Sequence, residues 1–402
     1  MKVLVATWGN PKNWGNGKYN INGKELISKT TYIPLFEVEK PDKGIIIVQN
    51  SLFPEFNVWD ESSLKEKIKE KLREFGANEE ILNKTEVIVT ISSGIYKNHK
   101  FMANFYDILL NLFIQLYFQL KDAKEVVLDL THGINYLPTI TLLTLSYLKK
   151  ILGFKLKIYN ATPVLKENPE SYFLNLGYID LEGKIKLNVK ELEETHKEIK
   201  RVFKEKINFN AIHAFKLLVA YLYGLIFPLV KNSNFDFDEN ILLELMPKQE
   251  KENEEYKVKG KINSEKLFKY IFAILFAKNI AEKFRYNKID LEVIKKIKDE
   301  IPNPVAKKLI ENEIKILEKV YEYKNIIFSI SEEIRYKECK DLADLIEKVK
   351  NKGKRKTSVQ YSDILRNYFA HVSFLYDLIY LSKEGIKSEE INYVKEIKEI
   401  EL

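Results

Sequence analysis

Residues 126–133 read Val-Val-Leu-Asp-Leu-Thr-His-Gly, a short apolar run that ends in a polar loop containing glycine. A helical pattern follows at residues 136–152. An apolar run, a glycine loop and a helix in this order are typical of the strand, turn and helix that build a parallel α/β sheet. This stretch therefore predicts an α/β fold for the part of the chain around it.

The same alternation extends through the N-terminal part of the chain. Further strands are predicted at residues 3–6, 45–48, 87–90 and 156–159, and further helices at residues 62–75 and 101–120. Together they predict a doubly wound, Rossmann-like α/β domain with a mainly parallel sheet. Residues 172–178 and 184–189 are expected to close it as a hairpin.

Beyond this region the strand signal fades and helical patterns dominate. A chain of 402 residues is longer than one hydrophobic core usually supports. We therefore expect two domains, an α/β domain at residues 1–190 and an all-α domain at residues 191–402. The polar stretch at residues 231–261 interrupts the helical patterns and is expected to be an insertion or a mobile loop.

Composition limits the function without deciding it. The net charge of +7 is compatible with a polyanionic partner. The excess of lysine over arginine is typical of a hyperthermophile or of an AT-rich genome. Cys339 is the single cysteine, so an internal disulfide and a cysteine-rich zinc site are excluded. With no signal peptide, and with a polar stripe along residues 101–120, the sequence predicts a soluble cytoplasmic protein without a membrane partner.

Polar loops follow three of the predicted strands. In open parallel sheets, ligands bind at the carboxyl ends of the strands, where backbone N–H groups and helix N-termini attract phosphate. A phosphate-bearing nucleotide therefore fits this rim, but neither GxGxxG after the first strand nor GxxxxGK[ST] occurs, which argues against a nicotinamide cofactor and an NTPase. The candidate residues are Trp8, Gly9, Asn10, Ser92, Ser93, Gly94, Thr131, His132, Gly133 and Asn135.

Each rim residue also has a structural interpretation. Any one of the loops could be a plain turn that ends a strand. His132 could cap a helix or lie buried in a hydrogen bond, and it lacks acidic neighbours at ligand spacing, so we expect no metal site. Trp8 fits a core position as well as a base-stacking one.

The C-terminal region contains Arg366 and His371 within one predicted helix, with Asn367 beside the arginine. RNA cleavage without a metal needs a group of near-neutral pKa at the attacking 2′-hydroxyl and a cation for the charge developing on phosphorus. These residue types supply both. Two residues five positions apart on a helix are separated by roughly 140° around its axis, so the pair lies on different faces and needs a shared cleft, as in a dimer. The alternative is an arginine in a salt bridge and a histidine facing a neighbouring helix.

Residues 6–10 (Ala-Thr-Trp-Gly-Asn), residues 129–133 (Asp-Leu-Thr-His-Gly) and residues 366–371 (Arg-Asn-Tyr-Phe-Ala-His) occur here in one chain. The combination resembles the CARF-HEPN ancillary ribonucleases of type III CRISPR systems, the Csx family. This resemblance implies a CARF domain that binds a cyclic oligoadenylate at the rim in a two-fold pocket. It also implies a HEPN domain with Arg366, Asn367 and His371 as catalytic residues.

The implied activity is that of a homodimeric or larger endoribonuclease, activated allosterically by the messenger, which cuts single-stranded RNA but not DNA. Attack by the 2′-hydroxyl would leave 2′,3′-cyclic phosphate ends. Cyclic tetra-adenylate is favoured as the messenger by the resemblance, and hexa-adenylate has the same even symmetry. No cofactor is expected. Two alternatives remain open, a ligand-sensing regulator that binds nucleic acid or protein without cutting, and a HEPN toxin without a messenger.

Overall fold

The computed structural model describes residues 1–21, 23–133, 136–162, 170–178, 183–203, 211–260, 262–322, 333–335, 379–382, 385–388, 397 and 399–402. The chain divides into two compact units. The first unit consists of Met1–Ile185 and Glu239–Lys269, and the second of Lys186–Asp238 and Tyr270–Leu402. The first unit is therefore built from two separate stretches of sequence.

The described strands are, in chain order, β1 Lys2–Thr7, β2 Gly17–Ile21, β3 Lys24–Ser28, β4 Lys43–Gln49, β5 Thr85–Thr90, β6 Ser93–Tyr96, β7 His99–Met102, β8 Glu125–Asp129, β9 Lys155–Ala161, β10 Glu170–Tyr178, β11 Lys186–Asn188, β12 Lys248–Glu252, β13 Glu255–Lys259, β14 Glu333–Arg335, β15 Ile379–Ser382, β16 Gly385–Ser388 and β17 Glu399–Glu401. The described helices are α1 Tyr32–Glu39, α2 Phe53–Phe56, α3 Glu61–Glu74, α4 Glu79–Lys84, α5 Phe105–Leu120, α6 Leu137–Leu152, α7 Val189–Phe203, α8 Ala211–Tyr223, α9 Ile226–Asn232, α10 Ile241–Leu245, α11 Ser264–Lys283, α12 Leu291–Glu300 and α13 Pro304–Glu322.

The first unit is organised around an eight-stranded sheet with the order β3-β2-β10-β9-β8-β1-β4-β5. Strands β9, β8, β1, β4 and β5 are parallel, and Val5 on β1 lies between Ile45 on β4 and Leu128 on β8. From β1 the chain adds β4 and β5 on one side, and it later returns to add β8 and β9 on the other. The predicted parallel α/β sheet is confirmed, and its order reverses between β1 and β8.

Both faces of the parallel strands are buried, as expected for a doubly wound sheet. On one face, Leu4 and Val48 belong to a cluster that includes Tyr32 of α1 and Leu64 and Ile68 of α3. The opposite face is covered by α5 and α6, which contact β5 and β1 respectively. Helix α5 begins with a reciprocal capping box between Asn104 and Asp107, so its start is fixed by local sequence.

A buried carboxylate lies at the end of α1. Glu39 accepts hydrogen bonds from Lys2 Nζ at 2.5 Å, Lys157 Nζ at 2.7 Å and Tyr159 Oη at 2.5 Å. Burial alone would raise the pKa of Glu39, but these hydrogen bonds lower it from 4.5 to about 2. The ionised carboxylate therefore joins α1 to β1 and β9.

A second sheet in the first unit has the order β12-β13-β7-β6. Residues 239–269, which include most of the expected polar insertion, return to this unit as α10 and the β12–β13 hairpin. The sequence of β12, Lys-Gln-Glu-Lys-Glu, carries no apolar alternation. Its strand conformation depends on antiparallel pairing with β13, which in turn pairs with β7. This long-range pairing is why local pattern predicted a loop here.

The described part of the second unit is mainly helical. Helix α7 buries Leu192, Thr195, His196 and Ile199, the i, i+3, i+4, i+7 spacing of one helix face. The prediction of a closing hairpin was wrong, because β10 pairs with β9 and β2, whereas β11 pairs with β17. Among the described residues, no helix is both long enough and apolar enough to cross a membrane.

Candidate functional site

The candidate rim lies at the carboxyl ends of the parallel strands. We call residues 8–10 after β1 the first loop and residues 130–133 after β8 the third loop. Residues 92–94 after β5 are the second loop, although Ser93 and Gly94 already begin β6. The first and third loops flank the point where the strand order reverses. Crevices for ligands in open α/β sheets form at such switch points, because the connections on either side leave in opposite directions.

The first and third loops are in direct contact. Gly9 N donates a hydrogen bond to His132 O at 2.8 Å. A Cβ on Gly133 would lie 2.2 Å from Thr7 Oγ1 and 2.4 Å from Pro138 Cγ, so only glycine fits there. The backbone of the third loop can therefore approach β1 closely, which brings two of the three predicted loops together.

Asp129 holds the third loop from below. This carboxylate is 1% exposed. Its Oδ1 accepts from Thr131 N at 3.0 Å, and its Oδ2 accepts from Thr31 Oγ1 at 2.5 Å. Thr131 Oγ1 in turn accepts from Ala161 N at 2.9 Å. These bonds fix the loop to α1 and to the end of β9, and they engage Thr131 within the protein.

His132 is a neutral, packed side chain. Its ring stacks on Trp14 with centroids 4.1 Å apart and an angle of 23°. Thr31 N donates to Nε2 at 3.1 Å, which places the proton on Nδ1. Burial lowers the pKa of His132, and the charge of Asp129 opposes that shift only in part. The imidazole therefore gives the rim a flat ring surface, stacked on Trp14, and no positive charge at neutral pH.

The second loop is held from two sides. Ser92 is fully buried, and Gln249 of β12 bonds both its N–H, at 3.1 Å, and its C=O, at 2.9 Å. Its hydroxyl donates to Asn50 Oδ1. The next residue, Ser93, donates its N–H to Tyr136 Oη at 2.8 Å. Because Tyr136 follows the third loop, all three loops belong to one connected rim.

A cavity of about 320 Å³ adjoins the first loop on the β4 side. Its walls come from the first loop, from the residues after β4, and from the turn between β6 and β7. The lining includes Gly9, Asn10, Gln49, Ser51, Tyr96 and Lys97. Glu55 at the same cavity pairs with Lys97 at 3.1 Å. A cavity of this size and mixed lining can take a group as large as a nucleoside.

The predicted rim residues differ in what they expose. Trp8 is 1% exposed and packs edge-on against Trp14 at 5.0 Å, so its ring belongs to the core. Gly9 and Ser92 are also buried. The partly or fully exposed rim residues are Asn10, Ser93, Gly94, Thr131, His132 and Gly133. Asn135, Arg366, Asn367 and His371 lie outside the described residues.

Several site residues were missed from the sequence. Gln49, the last residue of β4, and Ser51 line the cavity, and both follow the predicted strand at residues 45–48. Polar residues after a predicted strand are the same signal that identified the other loops. They were overlooked because no glycine accompanies them. Tyr136 and Gln249 had no such signal, since their role comes from tertiary contacts.

Two buried polar side-chain atoms lie at the end of β1. Within the described residues, neither Thr7 Oγ1 nor Trp8 Nε1 has a hydrogen-bond partner, although both are buried. Groups of this kind are commonly satisfied by water or ligand atoms. No cluster of three or more His, Cys, Asp or Glu side chains suited to a metal ion occurs in the described ranges.

Comparisons with known proteins cover the strands that carry this rim. Residues 3–163 match the family model described as CRISPR system endoribonuclease Csx1, CARF domain. The chain is also 27% identical to CRISPR system endoribonuclease Csx1 of Methanocaldococcus jannaschii, in an alignment that covers 99% of both proteins. The match spans β1 to β9 and so includes all three rim loops. Residues 3–163 thus match a CARF domain of the Csx1 type, in a chain that is similar to Csx1 from end to end, and both matches confirm the resemblance to the Csx-family CARF ribonucleases.

Proposed function

We propose that this chain is a cytoplasmic, cyclic oligoadenylate-activated endoribonuclease of type III CRISPR antiviral defence, which degrades single-stranded RNA without a metal ion. The observation that carries the proposal is the similarity along 99% of the chain to a protein named an endoribonuclease. Similarity restricted to the CARF domain would support a ligand sensor alone. Similarity that continues through the second unit supports a ribonuclease as well.

The messenger would bind at the rim. The switch-point location, the close backbone approach at Gly133 and the polar loop ends suit a ligand rich in phosphate and hydrogen-bond acceptors. Two copies of the rim related by a two-fold axis would match a ring of even symmetry. Cyclic tetra-adenylate is the expected messenger and cyclic hexa-adenylate the competing one, and the binding species is a homodimer or a larger assembly.

Cleavage would use Arg366, Asn367 and His371. In this chemistry the 2′-hydroxyl attacks the adjacent phosphorus, the bond from phosphorus to the 5′-oxygen breaks, and the products carry a 2′,3′-cyclic phosphate and a 5′-hydroxyl. Histidine moves the proton, and arginine neutralises the charge developing on the phosphoryl oxygens. DNA lacks the nucleophile and would not be cut.

The test is cleavage of a fluorogenic RNA with cyclic tetra-adenylate, with cyclic hexa-adenylate and without either. We expect one messenger to raise the rate, EDTA to leave it unchanged, and mass spectrometry to find cyclic phosphate ends. His371→Ala should abolish cleavage and preserve messenger binding. His213→Ala is the matched control, because His213 is an exposed histidine on α8. Cleavage by His371→Ala at the wild-type rate would refute the catalytic assignment.

The competing outcomes of this assay are distinct. A wild-type protein that binds the messenger but leaves RNA intact would be a non-enzymatic regulator that acts through nucleic acid or a protein partner. Full activity without any messenger would indicate a HEPN toxin instead. Either result would overturn the proposed function.

A further inference from the structure

The hairpin formed by β12 and β13, residues 248–259, which we call the docking hairpin, makes its central polar contact through Gln249. Oε1 of this residue accepts from Ser92 N at 3.1 Å and from Asn50 Nδ2 at 2.9 Å. Its Nε2 donates to Ser92 O at 2.9 Å and to Tyr256 O at 3.2 Å. One carboxamide thus makes four hydrogen bonds, and two of them engage both backbone groups of a single residue.

The Gln249 side chain forms the pair of hydrogen bonds that a backbone peptide group forms in a β-sheet. A peptide group on a neighbouring strand would offer one donor and one acceptor to Ser92, and the Gln249 carboxamide offers the same pair. Ser92 lies between the end of β5 and the start of β6 and is fully buried. Without Gln249, its C=O would keep the hydrogen bond from Ala103 N at 3.2 Å, but its N–H would lose its partner away from water, which proteins rarely tolerate.

The rest of the docking hairpin is also attached to the CARF domain. Tyr256 stacks on Phe101 with centroids 4.4 Å apart and an angle of 9°. Lys100 N donates to Glu254 O at 2.9 Å. Asn111 Nδ2 donates to Pro247 O, directly before the hairpin, at 2.9 Å. The Gln249 contact is therefore held in place by packing on both sides.

We propose that Gln249 is the positioning residue of the second rim loop, and that the docking hairpin carries the state of this loop to the second unit. The residue after Ser92 is Ser93, which bonds Tyr136 next to the third loop. At both ends, the stretch that contains the docking hairpin continues along the chain into the second unit, at residues 238 and 270. The hydrogen bonds between Ser92 and Gln249 thus connect the rim to a segment of the first unit that is joined to the second unit by the chain at both of its ends.

Coupling of this kind requires the messenger to prefer one conformation of the second loop over another, because a ligand shifts an equilibrium only by its differential affinity. Gln249 sets that preference, since it fixes the backbone of Ser92 and therefore the direction of Ser93 and Gly94. The positioning half of the inference stands without the proposed function, whereas the coupling half rests on it.

Two substitutions separate the contributions of the carboxamide. Gln249→Ala removes all four hydrogen bonds, whereas Gln249→Glu keeps an acceptor for Ser92 N and Asn50 but cannot donate to Ser92 O. Lys248→Ala is the matched control, because Lys248 is an exposed residue of the same strand. Circular dichroism checks the fold of each variant. If Gln249→Ala does not fold, Gln249→Met replaces it, since methionine preserves the volume without the polar atoms.

The first measurement is hydrogen exchange at the Ser92 amide without messenger. The loss of one net hydrogen bond should accelerate this exchange roughly 2- to 13-fold in Gln249→Ala and not in Lys248→Ala. The second is the Kd for cyclic tetra-adenylate and cyclic hexa-adenylate, which should rise. The third is the ratio of RNA cleavage with saturating messenger to cleavage without it, which should fall at least roughly fivefold, the lower end of typical coupling.

The outcomes decide each half separately. Wild-type exchange at Ser92 together with a wild-type Kd would refute the positioning role of Gln249. Faster exchange and weaker binding with an undiminished stimulation ratio would refute coupling through the docking hairpin. A wild-type protein that neither binds nor responds to messenger would instead contradict the proposed function, and exchange at Ser92 would still decide the positioning role.

Discussion

Replacing Gly133 by alanine tests whether the third rim loop approaches β1 as closely as its geometry indicates. The added Cβ would lie 2.2 Å from Thr7 Oγ1 and 2.4 Å from Pro138 Cγ, both far inside normal contact distance. The threonine hydroxyl can rotate away, but the proline ring at the start of α6 cannot. The loop itself must therefore move, and His132 O would be drawn away from Gly9 N.

The size of the effect follows from these two contacts. Overpacking a well-packed site costs about 1–3 kcal/mol, and two simultaneous overlaps place Gly133→Ala near the upper end, about 2–3 kcal/mol. For a folding unit of this size, each kcal/mol lowers Tm by about 2–4 °C, so a fall of about 4–12 °C is expected. Messenger affinity should fall as well, because the displaced loop forms part of the rim.

Thermal unfolding and isothermal titration with cyclic tetra-adenylate measure the two effects. Gly15→Ala is the matched control, since nothing lies within 4 Å of a Cβ at that position. Adding Thr7→Ala to Gly133→Ala removes the hydroxyl overlap and should restore part of the lost stability. If Gly133→Ala melts within a degree of wild type and binds the messenger equally well, the close approach is refuted.

Two further predictions concern the bonds that hold α1. Glu39→Gln should destabilise the protein by about 1–3 kcal/mol, less than a fully buried ion pair, because Lys2 and Lys157 remain partly exposed. Since the folded pKa of Glu39 lies below its usual value, its stabilisation is complete above pH 4.5 and lost as the pH falls towards about 2. The Tm difference between wild type and Glu39→Gln should therefore shrink over that interval, and a constant difference would contradict the assignment. Thr31→Val should cost about 1.5–3 kcal/mol, because the buried Asp129 carboxylate loses its hydroxyl donor. Thr30→Val, which removes only a neutral acceptor for Tyr32 N, should cost less when both variants are unfolded in urea, and equal costs would argue against the hydrogen bond from Thr31 to Asp129.

The parallel sheet was predictable because its signals are local. Strands β1, β4, β5 and β8 each contain a continuous apolar run, and the predicted helices at residues 62–75 and 136–152 begin and end within one residue of α3 and α6. The proximity of the three loops was predictable too, since the carboxyl ends of parallel strands lie at the same edge of a sheet. Sequence alone could not reveal that Ser92 faces the protein interior while Ser93 remains accessible.

The β12–β13 hairpin and its contacts with the rim could not be predicted, because they depend on residues far apart in the sequence. The β12 sequence is charged, and it becomes a strand only through β13 and β7. Gln249 and Ser92 are 157 residues apart in the chain. The local sequence pattern carries no information about such a contact, so it predicted an insertion or a mobile loop at residues 231–261. The assignment of Arg366, Asn367 and His371 stays a prediction from the motif.

The two-stretch construction of the first unit affects how the protein is made. Ribosomes release the chain from its N-terminus, so the CARF domain cannot acquire its docking hairpin until residue 259 has emerged, and the whole unit waits for residue 269. At roughly 5–20 residues per second, the interval after residue 185 lasts ~4–17 s. During this interval the nascent domain exposes the Phe101 ring and the backbone of Ser92. Expression of residues 1–190 alone would make that temporary state permanent, so we expect this fragment to stay in solution only when a shortened linker supplies the docking hairpin.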